Sequence, residues 1–146
     1  MLARTLIACL VCVTAAAVRV QAQQSDTLPT AVATAFHQAY PNAKILNVAR
    51  EIRDGKVIYE IESQDGPMRR DLIYGLAGNT IEIEDILPAD SVPAPLRAAV
   101  ERDLPGATIL GGERIRTGDV IVYEVSVRKG GRTQILNYDP AGVRKE

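Results

Sequence analysis

Two stretches of this sequence share one pattern. Residues 40–66 read YPNAKILNVAREIRDGKVIYEIESQDG, and residues 104–130 read LPGATILGGERIRTGDVIVYEVSVRKG. At a constant offset of 64 residues, without a gap, the flanking chain matches as well. Identical pairs include Pro29/Pro93, Ala35/Ala99, Pro41/Pro105, Ala43/Ala107, Ile45/Ile109, Leu46/Leu110, Arg50/Arg114, Tyr59/Tyr123, Glu60/Glu124, Gly66/Gly130, Leu72/Leu136, Tyr74/Tyr138, Ala77/Ala141 and Gly78/Gly142. Because turn residues and apolar residues agree together, the sequence predicts two copies of one unit.

Each copy is predicted to open with a helix. Pro29 and Pro93 suit a first helical turn, where a missing N–H costs nothing, and Pro41 and Pro105 end the pattern. Apolar residues recur between them at helical spacing, at Leu28, Val32, Ala35, Phe36, Ala39 and Tyr40, and again at Val92, Leu96, Ala99, Val100 and Leu104. One apolar stripe means one buried face, so each helix needs a partner surface.

The rest of each copy is predicted to form short antiparallel strands. Turn residues separate four strand-like runs in the first copy, at Asp54-Gly55, Asp65-Gly66-Pro67 and Ala77-Gly78-Asn79. The second copy has turns at matching points, Thr117-Gly118, Lys129-Gly130-Gly131 and Asp139-Pro140-Ala141-Gly142, and its fourth strand barely begins. The predicted fold class is therefore α+β, with two tandem α-β-β-β(-β) units, each an antiparallel sheet packed by one N-terminal helix.

The first hairpin of each copy places an arginine beside a tyrosine. If Asp54-Gly55 is a two-residue turn, Arg50 lies opposite Tyr59 on one face of the sheet. Arg114 and Tyr123 are related in the same way in the second copy. That face has two interpretations, which the sequence leaves open. It is either the rim of the core, with the arginine stem packed and its head group in water, or the exposed face.

Residues 1–22 have the layout of a secretory signal peptide. Arg4 precedes an apolar run from Leu6 to Val18, which is too short to span a bilayer comfortably. Small or apolar residues flank the predicted cleavage point after Ala22. A competing interpretation is a lipid-modified Cys9, but only a few apolar residues precede that cysteine.

Signal cleavage changes what the mature chain contains. Cys9 and Cys12 are the two cysteines and both lie in the leader, so a disulfide framework is excluded after export. The predicted domains are the signal peptide at 1–22, a first repeat at 26–88 and a second repeat at 91–146. We therefore expect a periplasmic or secreted protein with no stable membrane insertion after cleavage.

The composition excludes several functional classes. Seventeen Lys and Arg residues against 18 Asp and Glu residues give a net charge of −1, which is no electrostatic basis for binding nucleic acid. His37 is the only histidine, and both cysteines lie in the leader. The mature chain therefore lacks the residues needed for a zinc site of His and Cys ligands, and a Ser-His or Cys-His nucleophile is not expected. Glu82 and Glu84 form either an acid-base or Ca²⁺-binding pair or, more simply, the solvated face of a strand. We therefore predict a protein that is not an enzyme and has no cofactor and no metal.

Four of the five tyrosines occupy equivalent strand positions in the two copies. Tyrosine combines a large apolar area with a hydroxyl group, and it is enriched at protein interfaces. The candidate binding residues on these strands are Tyr59, Tyr74, Tyr123, Tyr138, Arg50 and Arg114. The other interpretation places the tyrosines at the rim of each core between helix and sheet.

The order of these motifs points to a family. The motifs are Tyr40-Pro41-Asn42-Ala43, Asp54-Gly55, Tyr59-Glu60-Ile61 and Ala77-Gly78, followed by Leu104-Pro105-Gly106-Ala107, Tyr123-Glu124-Val125 and Tyr138-Asp139-Pro140-Ala141-Gly142. In this order they resemble the PepSY-like domain, and their tandem arrangement is similar to exported bacterial proteins grouped as beta-lactamase-inhibitor-like, PepSY-like. The resemblance covers essentially the whole mature chain.

The resemblance implies a non-enzymatic binding module of the cell envelope, from a family whose members inhibit or sense proteins, including peptidases. In inhibitory members a concave sheet faces the target, and an acidic hairpin residue enters the target's active site. Asp54, and Asp119 beside the equivalent turn, match that loop, so Asp54 joins the candidate binding residues. The mature chain departs from those inhibitors because it has no cysteine, whereas their units are bridged by disulfides.

These observations lead to one functional expectation and one alternative. We expect an exported protein that binds or inhibits another protein or a peptide through its sheet surfaces, with a peptidase or another envelope enzyme as the target. The alternative is an envelope sensor or carrier that holds a small ligand between the two repeats.

Overall fold

The computed structural model describes residues 23–24 and 27–145, so the predicted signal peptide at 1–22 lies outside the described residues. The helices are α1 (Thr30–Ala39) and α2 (Ala94–Asp103), and each begins directly after a proline. The strands are β1 (Gln23–Gln24), β2 (Lys44–Arg53), β3 (Lys56–Asp65), β4 (Met68–Gly75), β5 (Thr80–Pro88), β6 (Thr108–Thr117), β7 (Val120–Lys129) and β8 (Arg132–Tyr138). A short 3-10 helix, Ala89–Ser91, lies between β5 and α2.

All of these strands form one antiparallel sheet, in the order of the chain from β1 to β8. The expectation that each copy has its own sheet is therefore wrong. β5 pairs with β6, from Ile83 opposite Arg116 to Pro88 opposite Gly111. The chain between β5 and β6 crosses one face of the sheet as α2 and returns beside the strand that it left. The α+β class is retained, with two helices on one sheet.

The hairpin register predicted from the Asp54-Gly55 turn is confirmed. Both residues have positive φ, 52° and 74°, which is typical of the tight turns that join twisted antiparallel strands. Arg50 lies opposite Tyr59 between β2 and β3, and Arg114 lies opposite Tyr123 between β6 and β7. The two pairings are also irregular at corresponding points, 45–47 and 109–111.

Both helices pack on the same face of the sheet, over two separate hydrophobic cores. Under α1 the buried residues are Val32, Phe36, Tyr59, Ile61, Leu72, Tyr74 and Ile83. Under α2 they are Val92, Leu96, Ala99, Val100, Val125, Val127, Leu136 and Tyr138. Each helix therefore covers the strands that follow it in the chain, and neither needs the other to bury its apolar stripe.

A buried ionic cluster lies on the helix-covered face, between the two cores. Asp85 is 2% exposed. Its Oδ1 accepts a hydrogen bond from Arg70 Nε at 2.7 Å, and its Oδ2 accepts one from Arg114 Nε at 3.0 Å. A charge removed from water in this way requires charged partners. Because Arg70 lies on β4 and Arg114 on β6, the cluster joins strands that belong to different predicted copies.

Candidate binding surface

The side of the sheet opposite the helices is termed the helix-free face. Side chains alternate between the two faces along each strand, so the residues of this face follow from the register. Its central members are Ala49, Ile58, Glu60, Glu62, Asp71, Ile73, Glu82, Glu84, Ile86, Glu113, Ile115, Val122, Glu124 and Ser126, with Ile135 at the edge. Acidic and apolar side chains therefore share this face, on which Ala49, Ile58 and Ile73 are buried.

Carboxylates on this face lie directly opposite one another across neighbouring strands. Glu62 of β3 lies opposite Asp71 of β4, which in turn lies opposite Glu84 of β5. Glu113 of β6 lies opposite Glu124 of β7. Like charges in this position destabilise a sheet, by roughly 0.2–1 kcal/mol for each pair. The folded chain therefore keeps a row of charges that opposes its own stability.

The environment of these carboxylates shifts their pKa values upward. Partial burial, together with the charges of Glu82, Glu113 and Asp71, raises the pKa of Glu84 to about 7. Burial also raises the pKa of Glu60, Asp71 and Glu113, and nearby carboxylates add to each rise. An acid with a pKa of about 7 is protonated in about half of the molecules at neutral pH.

Cations of the chain reach only part of this acidic face. Arg69 Nη2 lies 3.7 Å from Glu62 Oε2, and Arg53 Nη1 lies 3.4 Å from Glu82 Oε1. Within residues 27–145, five acidic side chains of this face have no ion pair with Lys or Arg, namely Glu60, Asp71, Glu84, Glu113 and Glu124. The face therefore carries more negative charge than the cations beside it neutralise.

An apolar groove with a volume of about 660 Å³ lies where β3 begins and β4 ends, beside the turns that precede β3 and follow β4. Ile58 and Ile73, both on the helix-free face, form part of its lining, and Leu76 stands at its margin with 58% exposure. Asp54 also lines the groove. The acidic hairpin residue singled out from the sequence therefore borders an apolar depression that can receive a side chain.

A smaller groove of about 370 Å³ lies farther along the helix-free face. Ile86, Leu110 and Ile135 supply its apolar lining, and Glu113 and Glu124 supply carboxylates. Leu110 is 40% exposed and Ile135 is 57% exposed. The second groove therefore also combines apolar surface with negative charge.

Three of the four predicted tyrosines lie in the cores. Tyr59, Tyr74 and Tyr138 are 8%, 1% and 0% exposed, and burial raises the pKa of the Tyr74 and Tyr138 hydroxyls. Tyr123 is half-buried and packs against the core under α2. Of the two interpretations offered by the sequence, this placement matches the rim of the core.

The two predicted arginines lie on the same helix-covered face as the tyrosines. Arg114 binds Asp85, and its neighbour across the strands is Tyr123. Arg50 is half-buried opposite Tyr59. The structure thus brings each arginine to its tyrosine, as the register predicted, while Asp54 lies apart from them at the hairpin turn.

The acidic rows were not predicted from the sequence. The strand alternation placed Glu82 and Glu84 on one face, and Glu60 was assigned to a cross-strand pair. What no single strand reveals is which carboxylates lie opposite one another. That depends on the register of β3 with β4 and of β4 with β5, and the tight turns between these strands were the available signal.

No group of three or more His, Cys, Asp and Glu residues in the described part of the chain is arranged to hold a metal ion. His37 is exposed on α1, and its ring lies edge-on to Phe36 with the centroids 5.3 Å apart. This placement corresponds to a solvated helix residue.

The comparisons with known proteins bear on the family. A family model described as "Putative beta-lactamase-inhibitor-like, PepSY-like" matches residues 16–82. The match includes α1 and strands β2 to β4, together with the start of β5 and the end of the predicted leader. Comparison with curated proteins gave no match.

Several solved structures have a similar fold. A DUF2874 family protein from Bacteroides ovatus superposes with a TM-score of 0.67 at 16% identity, covering 84% of this chain and 87% of its own. A BLIP-like protein from Bacteroides fragilis gives 0.66 at 16% identity, covering 82% and 84%. A "putative periplasmic" protein from Bacteroides eggerthii gives 0.68 at 14% identity, covering 82% and 87%. At these identities the likeness concerns the fold.

None of the helices in the described part of the chain is long and apolar enough to cross a membrane.

Proposed function

We propose that this chain is an exported, non-enzymatic protein that binds another protein through the helix-free face of its sheet. The observation that carries the proposal is the row Glu62, Asp71 and Glu84, directly opposed across three strands on the face that neither α1 nor α2 covers. Such a row weakens folding, and a cationic partner would relieve the repulsion that it causes.

The chemistry of the face defines the partner that we propose. Carboxylates without an ion pair, such as Asp71, Glu84 and Glu113, favour Lys and Arg side chains on the partner, since complementary charge speeds and orients association. The two grooves beside them favour apolar or aromatic side chains, because a few residues buried in pockets supply most of the binding free energy at protein interfaces. The proposed partner therefore presents a basic surface with one or two projecting apolar residues.

The family match supports an inhibitory mode of binding. The matched family is described as beta-lactamase-inhibitor-like, and the Bacteroides fragilis neighbour is described as BLIP-like. Asp54 is exposed at the tip of a hairpin beside the larger groove, so among the residues predicted from the sequence it is the one that we place at the contact with a partner. A peptidase or another enzyme of the envelope is the target class in this proposal.

We also propose export and a duplicated origin. The layout of residues 1–22 and the description of the Bacteroides eggerthii neighbour as periplasmic support export to the periplasm. The identities at an offset of 64 residues support two copies of one unit, which have joined into a single sheet. The corresponding irregular points in β2–β3 and β6–β7 agree with this origin.

The proposal is tested by capture from envelope extracts under mild crosslinking. We expect the double variant Glu84→Lys with Glu113→Lys to lose at least tenfold of the captured partner. The matched control, Asp90→Lys with Glu101→Lys, changes two exposed carboxylates away from the helix-free face and should capture as well as the wild type. Thermal unfolding of both variants establishes that the folds are equal.

Two results would contradict this function. Equal capture by the two double variants would exclude the helix-free face as the binding surface. Failure of every form to capture a protein, combined with a thermal shift produced by a small molecule, would favour the alternative of a sensor or carrier.

A further inference from the structure

The outer edge of β8 is paired along only part of its length. Lys145 N–H donates to the carbonyl of Asn137 at 2.8 Å, so the chain after β8 covers that end of the strand. Backbone groups point alternately to the two sides of a strand, so Thr133 and Ile135 direct their N–H and C=O groups the same way as Asn137. Among the described residues no strand pairs with Thr133 or Ile135 on that side.

β4 is the counterpart of β8 in the first copy, and its corresponding edge is paired with β5. The turns that follow β4 and β8 have closely similar hydrogen bonds. After β4, Gly75 N–H donates to the carbonyl of Asn79 at 2.9 Å, and Tyr74 pairs with Thr80. After β8, the corresponding hydrogen bond from Asp139 to Val143 is 3.0 Å long. The following pair is Tyr138 with Arg144, again 64 residues later. The chain therefore leaves β4 and β8 through equivalent turns and runs in the same direction after each.

From that point the two edges differ. On β4 the next outward-facing residues, Asp71 and Arg69, pair with Glu84 and Ile86 of β5. The corresponding residues of β8 are Ile135 and Thr133, with which no strand of the described residues pairs on that side. The pairing of β5 with β4 is thus a template for a strand added to β8. Such a strand runs antiparallel to β8 and places one residue opposite each outward-facing residue.

We propose that the edge of β8 between Arg132 and Leu136 binds an extended, acidic segment of another polypeptide as an added antiparallel strand. Backbone hydrogen bonds to the edge supply the affinity in this mode of recognition, and alternate side chains supply the specificity. The site consists of backbone groups at the edge of the sheet and shares only the Ile135 side chain with the helix-free face, so binding there can be tested apart from the function proposed above.

The charge around the edge sets the chemistry of the segment. Exposed cations surround it at Arg128, Lys129, Arg132, Arg144 and Lys145. The acid beside them, Asp139, is already paired with Lys145, with Nζ 3.2 Å from Oδ2. A basic edge discourages pairing with a second copy of itself and attracts acidic residues. β5, which carries Glu82, Glu84 and Asp85, has this acidic character and lies against Arg69 and Arg70 of β4.

The side chains of β8 add an apolar requirement. Ile135 is 57% exposed on the helix-free side of the strand, so an apolar residue in contact with it would be shielded from water. On the opposite side, Ile83 of β5 is buried opposite Leu72, and Leu136 is the counterpart of Leu72. A segment that alternates apolar and acidic residues therefore matches both faces of the edge.

The probe is a capped peptide with the sequence of β5, TIEIEDILP, added to the full chain. We expect it to slow hydrogen exchange of the Thr133 and Ile135 amides at least fivefold, measured by NMR. The amides of Gln134 and Leu136 face β7 and should not change. A peptide with Lys in place of its three acidic residues should bind roughly tenfold more weakly at low salt.

N-methylation of the peptide supplies the matched control. Methyl groups on the residues that correspond to Glu84 and Ile86 remove the hydrogen bonds to the edge and should weaken binding roughly tenfold. Methyl groups on those that correspond to Ile83 and Asp85 point away and should change binding less than twofold. In the protein, Thr133→Pro should abolish protection while Thr133→Val retains it, with both variants folded.

Three results would overturn the proposal. The first is unchanged exchange at Thr133 and Ile135 at millimolar peptide. The second is an equal effect of the two methylation patterns. The third is self-association of the chain through β8, seen as a dimer by sedimentation that Thr133→Pro converts to a monomer.

Discussion

The Glu84 carboxyl group makes the stability of the folded state depend on pH. Its pKa is raised to about 7 in the folded chain, so the folded state holds this proton more tightly than the unfolded chain does. The free energy of unfolding therefore falls as pH rises from about 4.5 to about 7, and then levels. Because the side chain is only partly buried, we expect a loss on the order of 1 kcal/mol from this group.

Glu84→Gln tests this directly by urea denaturation across the same pH range. The variant should be more stable than the wild type at pH 8, by about 1 kcal/mol, and should have a smaller slope between pH 4.5 and 7, to which the raised pKa values of Glu60, Asp71 and Glu113 also contribute. Asp119→Asn is the control, since Asp119 is exposed beside a turn. If both variants keep the wild-type slope, the repulsion assigned to the acidic row is absent.

For single residues, the sequence predicted which side chains lie side by side better than it predicted whether they are covered by a helix or exposed to water. Arg50 and Tyr59 were predicted to lie side by side because a two-residue turn fixes their register, and the structure places them so. Whether they faced a helix or water was not decided, because β3 has isoleucines on both of its faces, at Ile58 and Ile61. The side on which a helix packs is set by tertiary contacts, not by strand alternation.

Two glycine loops pack against the first turns of the helices, one in each half of the sheet. A Cβ on Gly78 would lie 2.5 Å from the carbonyl oxygen of Ala31, and one on Gly142 would lie 2.9 Å from that of Pro95. Both glycines have positive φ, 83° and 79°. The loops thus approach the helix backbones so closely that only glycine fits.

We predict that Gly78→Ala destabilises the chain by about 2–4 kcal/mol, from a left-handed alanine and a backbone clash together. Gly66→Ala is the matched control, because Gly66 also has a positive φ, 57°, but its added Cβ meets nothing within 4 Å. That variant should lose only about 1–2 kcal/mol. Equal losses in chemical denaturation would mean that the loop does not hold the helix.

Helices, strands and turns were predicted largely correctly, because their signals are local. The prolines bound the helices, and turn residues separate the strands within a few positions. The pairing of β5 with β6 is different in kind, since the 3-10 helix and α2 intervene between the two strands. Nothing in either strand alone specifies the other as its neighbour, so two sheets were expected where the chain forms one.

The single sheet has a consequence for how the whole molecule unfolds. β5 and β6 are joined by six residue pairs, and Asp85 holds one arginine from each side of that junction. If one half unfolded alone, it would expose an edge strand and leave a buried carboxylate with one partner fewer, which is strongly unfavourable. The two cores should therefore melt together although their buried residues form separate clusters.

We predict a single unfolding transition by calorimetry, with equal calorimetric and van't Hoff enthalpies. Leu72→Ala in the first core and Leu136→Ala in the second should each lower the free energy of unfolding by about 2–5 kcal/mol. Each should do so by moving the same transition, because the junction couples the cores. Two resolved transitions, with each substitution shifting only one of them, would show that the halves unfold independently. The continuous sheet would then be a geometric feature without energetic coupling.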